Sequence, residues 1–278
     1  MHDEAYGHIY RGDAPILVAT PHIGTSIPEE LMSQPAWVSV QGRLADPAGA
    51  MLRAIAGARG VSCIAAGIHP CVIDFNVPAD NRVLSSGLGR ASLCRTHTAR
   101  GESLYGDSTG PSDTDVAQRV ERYWAPYHDA LATELQRLRG IHGNVLLLVS
   151  HALSWLSPYQ QQPDAADCNV GTSRGASCDR RLVTALTGVV RERGRSWVVN
   201  GRVADSFAAQ HYGMPAAGIH AMEVEFAGGV RQHCGGEHAD RAVTGDLFGA
   251  MLDALVATLS TLPKVDSVGA EPAFKPYA

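Results

Sequence analysis

The alternation of short apolar runs with longer amphipathic segments constrains the fold of this chain most strongly. The runs are rich in β-branched residues, as strands buried on both faces of a sheet are. Six runs are predicted strands: 16–20, 61–66, 71–75, 145–150, 197–200 and 221–226. Four segments between them have helical periodicity: 47–60 ending at Gly60, 115–140 ending at Gly140, 180–194 and 244–262. The pattern predicts an α/β three-layer sandwich, with a mixed, largely parallel sheet flanked by helices.

The sequence indicates a single domain over residues 1–278. Its length is sufficient to bury a sizeable core, and it contains no internal repeat and no linker-like segment. The stretch that begins at about Pro263 is polar and rich in proline. We therefore expect a loosely held C-terminal tail from about residue 263.

Charge and cysteine usage exclude several classes of protein. The net charge is −5 and the chain contains no basic run, which argues against nucleic acid or an anionic membrane as a partner. No stretch approaches the roughly 18 consecutive apolar residues of a membrane span, and the first residues do not resemble a signal peptide. The six cysteines form no CxxC pair and are expected to be buried, reduced thiols. These features predict a soluble cytoplasmic protein, and they carry no prediction of oligomeric state.

Three polar residues stand where predicted strands end. His22 follows the strand 16–20, His151 follows 145–150, and Glu225 lies within 221–226. Ligands and catalytic groups gather at the carboxyl ends of strands in such sheets. Each residue alone also has an ordinary explanation, because a strand-end histidine is commonly a hydrogen-bonded core residue and a strand glutamate commonly faces water. Glu223 is expected on the same face as Glu225. The three together indicate a metal site or an acid–base site.

Asp46 begins a predicted helix and has two possible roles. Aspartate at this position is typically an N-cap. A catalytic zinc site, however, needs histidine nitrogens and a carboxylate with an open position for water, and a further carboxylate as general base. Periodicity does not choose between cap and ligand.

Eight motifs, in the order of one known family, extend the analysis. They are PHIGTSIPEEL (21–31), ADPAGAMLRAIA (45–56), CVIDFN (71–76), GESLY (101–105), YWAPYHDALATEL (123–135), LLLVSHAL (146–153), DCNVGTSRGASCD (167–179) and HAMEVEF (220–226). Through them the chain, from about Ile16 to Phe226, resembles the N-formylglutamate amidohydrolases. The resemblance implies a fold like that of the zinc carboxypeptidases (phosphorylase/hydrolase-like) and hydrolysis of a linear or cyclic amide C–N bond in a small-molecule substrate.

The resemblance also implies roles for individual residues. His22, Asp46 and His151 are implied as ligands of one Zn²⁺ or another divalent ion, and Glu225 as the general base. Gly24 would let the backbone turn beside the ion. Asp74 and Asn76 match the family within the pocket region and are predicted to bind substrate.

This sequence departs from the family mainly at cationic positions. The family arginine before V-I-D-L-N-R and the arginine that ends this motif are both absent, and Ala204 and Gln210 stand at a lysine and a further arginine. Val149 and Ala152 replace the aspartate and serine around the ligand histidine. Arginines hold carboxylates through charge-assisted hydrogen bonds of about 1.5–3 kcal/mol each. We therefore predict a substrate that is less anionic than N-formylglutamate.

Other side chains could replace the missing donors. His69 and His97 lie in the altered loops, and Arg202 matches a family position; these three are predicted to bind substrate, with ordinary loop histidines and a surface arginine as the alternatives. Arg95, Arg100 and Arg174 are further candidates for an anion site. Two alternative functions stay open: a true N-formylglutamate deformylase with a rearranged pocket, and a non-catalytic small-molecule-binding protein on the same fold.

Overall fold

A mixed sheet and the helices on its two faces make up the described part of the chain. The computed structural model describes residues 2–82, 84, 92–98, 101–106, 110–150, 166–201, 203–227, 229–230, 233–234, 241–265 and 274. Within them the strands are β1 (His2–Glu4), β2 (Gly7–Tyr10), β3 (Ile16–Thr20), β4 (Ser62–Ala66), β5 (Val145–Ser150), β6 (Cys168–Gly171), β7 (Trp197–Val199) and β8 (Ile219–Phe226).

The described α-helices are α1 (Glu29–Met32), α2 (Pro47–Gly57), α3 (Asp113–Arg119), α4 (Ala125–His142), α5 (Arg180–Glu192), α6 (Phe207–Tyr212) and α7 (Arg241–Thr261). A π-helical turn, Val120–Trp124, joins α3 to α4, and short 3₁₀ turns occupy Pro35–Ser39, Ser173–Gly175 and Pro215–Ala217.

The eight described strands form one sheet in the order β1-β2-β4-β3-β5-β8-β6-β7. The four central strands, β4, β3, β5 and β8, are parallel. Antiparallel pairs flank them, β2 with β4 and β6 with β8, and β7 runs parallel to β6. The central strands are buried at every position, which explains their continuous apolar sequences. The prediction of a mixed, largely parallel sheet is confirmed.

Helices cover both faces of this sheet. On one face, Tyr127, Leu131 and Leu135 of α4 pack against Leu17 and Leu147. Trp124, Tyr127 and Leu131 are all buried in this cluster. The opposite face carries α2, α5 and α7, whose apolar side chains form a second buried cluster. The α/β arrangement is therefore three layers deep.

The chain reverses its direction of travel across the sheet beside β3. From β3 it reaches β4 through α2 on one face, and it then returns past β3 to β5 through α3 and α4 on the other face. The carboxyl ends of β3 and β5 consequently meet where the two connections diverge. In open α/β sheets such a switch point forms the crevice in which ligands bind.

Three details of the predicted elements are wrong. The helix predicted to end at Gly60 ends at Gly57. Residues 71–75 are not a strand but consecutive turns, closed by the bonds Val72 N→His69 O (2.8 Å) and Val77 N→Asp74 O (3.2 Å). Four apolar side chains of the segment are buried, so its composition resembles that of a strand. The helix predicted to end at Gly140 continues to His142, because Gly143, with φ 78°, supplies the helix-ending conformation.

The helix α7 meets the length and mean hydropathy of a membrane span over Val243–Thr261. Leu247, Phe248, Met251 and Leu255 of this helix are buried in the cluster shared with α2 and α5. It therefore has the packing of a core helix, and its composition is weak evidence for a span.

All six cysteines are buried thiols, as predicted. The predicted loose tail lies largely outside the described residues. Within them, Asn144 Nδ2 donates to Pro263 O (2.9 Å), and the ring of Phe274 meets that of Tyr212 at 5.2 Å between centroids.

Candidate active site

His22 lies two residues beyond β3, in a loop that pairs with the loop after β4. Ser26 bridges to Ile68, and the bonds Ser26 N→Gly67 O (2.9 Å) and His69 N→Ser26 O (2.8 Å) hold the two loops together. A Cβ at Gly24 would stand 2.1 Å from the carbonyl oxygen of Ile68. The need for glycine at position 24 is therefore explained by the close approach of these two loops.

The His22 imidazole is fixed by a carboxylate. Its Nε2 lies 2.8 Å from Asp74 Oδ1, and both side chains are buried. The same Oδ1 accepts a hydrogen bond from Asn76 N (2.9 Å), while Asp74 Oδ2 lies 3.3 Å from Arg95 Nη2. Burial alone would raise the pKa of Asp74, but His22, Arg95 and the Asn76 N–H together lower it well below its ordinary range. Asp74 is thus a buried anion that orients His22.

Asp46 is the N-cap of α2. This is one of the two roles, cap or metal ligand, that the sequence allows. Its Oδ1 accepts from Gly49 N (2.9 Å), and its Oδ2 accepts from Ser150 Oγ (2.7 Å). Ser150 is the last residue of β5 and immediately precedes His151 in sequence. The cap therefore places the carboxylate of Asp46 at the carboxyl end of β5, beside the switch point.

Glu225 is buried near the carboxyl end of β8. Ser150, the last residue of β5, pairs with Val224 of β8. Glu225 is the next residue of β8 after this pair, and it is buried. Glu223, on the same face, is fully buried and accepts hydrogen bonds from Asn76 Nδ2 (2.7 Å) and Ala209 N (3.2 Å). Sequence reasoning gave Glu223 no role in the site. Its spacing from Glu225 was the available signal, because helices cover both faces of a central strand and two glutamates on one face are then buried together.

Two predicted histidines have different surroundings. His69 is buried, and its Nδ1 accepts from Cys71 N (3.1 Å), which leaves the ring proton on Nε2 in the neutral imidazole. Burial, together with the nearby charges of Arg95 and His22, lowers the pKa of His69 to about 4. His97 is exposed, and its Nδ1 lies 2.9 Å from Thr96 Oγ1. Substrate contacts by these histidines stay predictions.

The predicted arginines divide into three cases. Arg95 is packed against Asp74, with 11% of its side chain exposed. Arg174 pairs with Asp205 on the surface at 2.6 Å, with 74% of its side chain exposed, so it is a surface arginine. Arg100 and Arg202 lie outside the described residues, as does His151.

The donor set fits a cation, although the described residues contain no group of three His, Cys, Asp or Glu side chains arranged to hold a metal. His151 does not belong to the described residues. A histidine fixed by a carboxylate through one ring nitrogen is typical of metal-binding histidines. Four buried carboxyl groups, those of Asp46, Asp74, Glu223 and Glu225, surround this edge of the sheet. Their charge suits a divalent ion, and a buried carboxylate beside it could move protons.

Comparisons with known proteins give a consistent result. A family described as N-formylglutamate amidohydrolase matches residues 14–230. The N-formylglutamate deformylase of Pseudomonas putida is 34% identical over 221 residues, covering 78% of this chain and 82% of that protein. The protein of the same name from Pseudomonas aeruginosa is 32% identical over 227 residues, with the same coverages of 78% and 82%.

Solved structures show a similar fold. The crystal structure of N-formylglutamate amidohydrolase from Ralstonia eutropha JMP134 gives a TM-score of 0.59 at 20% identity, covering 92% of this chain and 96% of that chain. The gene product Atu2144 from Agrobacterium tumefaciens gives a TM-score of 0.67 at 13% identity, with coverages of 91% and 94%.

Proposed function

The chain belongs to the N-formylglutamate amidohydrolase family, and from that premise we propose that it is a metal-dependent hydrolase of a small acyl-nitrogen compound. The reaction would be cleavage of an amide C–N bond by water. The observation that supports this best is the buried His22–Asp74 pair beside the switch point of the sheet.

The proposed ligands are His22, Asp46 and His151, with one Zn²⁺ expected per chain. Asp74 contacts Nε2 of His22, and a carboxylate at one ring nitrogen is the kind of contact that orients a metal-binding histidine. Gly49 N and Ser150 Oγ orient the carboxylate of Asp46. A bound Zn²⁺ supplies Lewis acidity, which lowers the pKa of water toward 7 and polarises a carbonyl group.

The proposed general base is Glu225. It would accept a proton from the attacking water and return that proton to the leaving nitrogen. Glu223 would act through Asn76, because it fixes the amide group of that side chain at 2.7 Å. Asn76, His69, His97 and Arg202 stay proposed substrate contacts, and Asp74 would act through His22.

We propose a substrate less anionic than N-formylglutamate, since the family arginines are missing at the matching positions. N-formylglutamate itself is the second candidate, favoured by the names of the two Pseudomonas relatives. A cytoplasmic location and a likeness to zinc carboxypeptidases are further parts of this proposal.

Metal content and turnover test the proposal together. We expect about one zinc per chain in the wild type and in Glu225→Gln, and its loss in His151→Ala, measured by mass spectrometry. Hydrolysis of a panel of N-formyl and N-acetyl amino acids should fall at least a hundredfold in Glu225→Gln. The exposed Glu121→Gln is the matched control and should keep the wild-type rate. Wild-type protein that takes up no metal on reconstitution, or full turnover by Glu225→Gln, would contradict the proposal.

A further inference from the structure

A largely buried arginine, Arg95, lies beside the candidate site on a segment separate from the positions of the missing family arginines. Arg95 is held there by its backbone, because Arg95 N donates to Cys71 O (3.2 Å) and Asp74 N donates to Leu93 O (2.8 Å). These two bonds fasten residues 93–95 along the turn that carries Asp74. The position of the guanidinium is therefore set by the same turn that orients His22.

The guanidinium has unused donor capacity. A guanidinium carries five N–H groups. Nη2 of Arg95 donates a hydrogen bond to Asp74 Oδ2 (3.3 Å). Its Nε is buried and has no hydrogen-bond partner among the described residues. Asp74 divides its own oxygens among His22, Asn76 N and Arg95. A buried N–H donor without a partner is costly, and a ligand oxygen would remove that cost.

The positive charge of Arg95 also extends beyond its pair with Asp74. It contributes to the lowered pKa of His69, the buried imidazole next to it. The side chain of Arg95 is 11% exposed, so it is not completely enclosed by protein. A planar, two-oxygen anion suits this donor geometry best.

We propose that Arg95 binds the carboxylate of the substrate, and that the substrate class is N-acyl amino acids with a single carboxylate. Among the described residues of the candidate site, Arg95 is the arginine that contacts Asp74, and its one guanidinium matches one carboxylate. It would take the role of the arginines that are absent at the family positions. The substrate class rests on the proposed function, whereas the carboxylate contact does not require turnover.

Equilibrium binding to zinc-reconstituted, full-length protein tests the contact. The probes are N-formyl-L-alanine and its uncharged methyl ester, and all proteins carry Glu225→Gln so that no probe is consumed. With Arg95 present, we expect calorimetry to show acid binding at least tenfold tighter than ester binding. Adding Arg95→Gln should weaken acid binding about tenfold to a hundredfold and change ester binding less than twofold. Arg95→Lys should retain part of the preference.

Arg119→Gln is the matched control, because this partly buried arginine contacts Val72 O and Tyr105 Oη, both at 3.0 Å. It should leave the ratio of acid to ester affinity unchanged. Equal weakening of both probes by Arg95→Gln would assign Arg95 a merely structural role and overturn the proposal. Equal affinity for acid and ester with Arg95 present, or no binding of the acid, would also overturn it. Hydrolysis, measured separately without Glu225→Gln, reports on the proposed function, so the two failures are distinguishable.

Discussion

Asp74 links three parts of the candidate site through one carboxylate. It orients His22, accepts from the backbone of Asn76 and neutralises Arg95. The sequence suggested a pocket residue here from the family motif. In the sequence, Asp74 is 52 positions from His22 and 21 positions from Arg95. No local pattern reports contacts of that range, and they required the folded chain.

His128 supports the same turn from the opposite side. Its Nε2 lies 2.9 Å from Phe75 O and its Nδ1 lies 2.6 Å from Tyr212 Oη. A carbonyl oxygen only accepts, so Nε2 carries the proton and Nδ1 accepts from the tyrosine. The residues on either side of Phe75 are Asp74 and Asn76. The neutral imidazole therefore holds the backbone between two side chains of the site.

Protonation of His128 should make stability depend on pH. Burial, with a contribution from His211, lowers the pKa of His128 well below 6.5 in the folded state. Below pH 6.5 the unfolded chain binds a proton that the folded chain does not, so stability is present above this pH and is lost as pH falls. From pH 7.5 to 5.5 we expect this group to cost about 1 kcal/mol, measured by urea denaturation.

His128→Gln should remove that contribution to the pH dependence, since glutamine keeps an N–H donor for Phe75 O but does not titrate. Tyr212→Phe is the control, because it loses the hydroxyl partner and keeps the histidine. A loss of stability with acid that is identical in wild type and His128→Gln would show that His128 is not responsible.

At the scale of elements, α2 carries the candidate site through its first turn. The helix begins where Asp46 caps it, and the carboxylate of that cap also meets Ser150 at the end of β5. A Cβ at Gly49 would lie 2.3 Å from Asp46 Oδ2 and 2.9 Å from Ser150 Oγ. The helix start and the strand end are thus fitted together around a glycine.

Gly49→Ala should therefore destabilise the fold by about 1–3 kcal/mol, because the methyl group would push the capping carboxylate from its place. Gly57→Ala, in the last residue of the same helix, meets no atom within 4 Å and should be neutral or stabilise by up to about 1 kcal/mol. Free energies of unfolding in denaturant measure both effects. Equal effects at the two positions would refute the steric explanation.

Prediction from sequence succeeded for elements whose environment is uniform. The strands β3, β5 and β8 are buried along their whole length, so their composition alone identified them. It failed at residues 71–75, because a buried loop has the same composition as a buried strand. The end of α4 was also predicted wrongly, because Gly140 and Gly143 look alike in sequence. They differ in backbone conformation, and Gly143 is the one with a positive φ. Short elements such as β1, β6 and α6 have too few residues to show a period.

In the site, the sequence identified the burial-prone polar positions but not their partners. His22 was found because it follows an apolar strand directly, and Glu225 because it interrupts one. Glu223 and Ser150 were missed, since their roles depend on Asn76 and Asp46, which the fold brings to them from distant positions.

For the whole molecule, the two buried layers account for the state of the cysteines. All six thiols are buried, and burial raises the pKa of Cys63, Cys71, Cys168 and Cys178 to about 12. Thiolate, the reactive form, is therefore scarce in the folded protein.

The native protein should react slowly with a disulfide reagent such as 5,5′-dithiobis(2-nitrobenzoate), and six thiols should react in guanidinium chloride. Absorbance of the released thiolate measures both quantities. Prior reduction should leave the count in denaturant unchanged. A count that rises by two on reduction would reveal a disulfide and contradict the structure.

The position of the candidate site at the meeting point of β3, β5 and β8 has a consequence for biosynthesis. His22 and Glu225 are about 200 residues apart in the chain. At about 5–20 residues per second, a ribosome makes the second roughly 10–40 s after the first. During that interval His22 has emerged without the strands that complete its surroundings. The site can therefore assemble only late in synthesis, after β8 has been made.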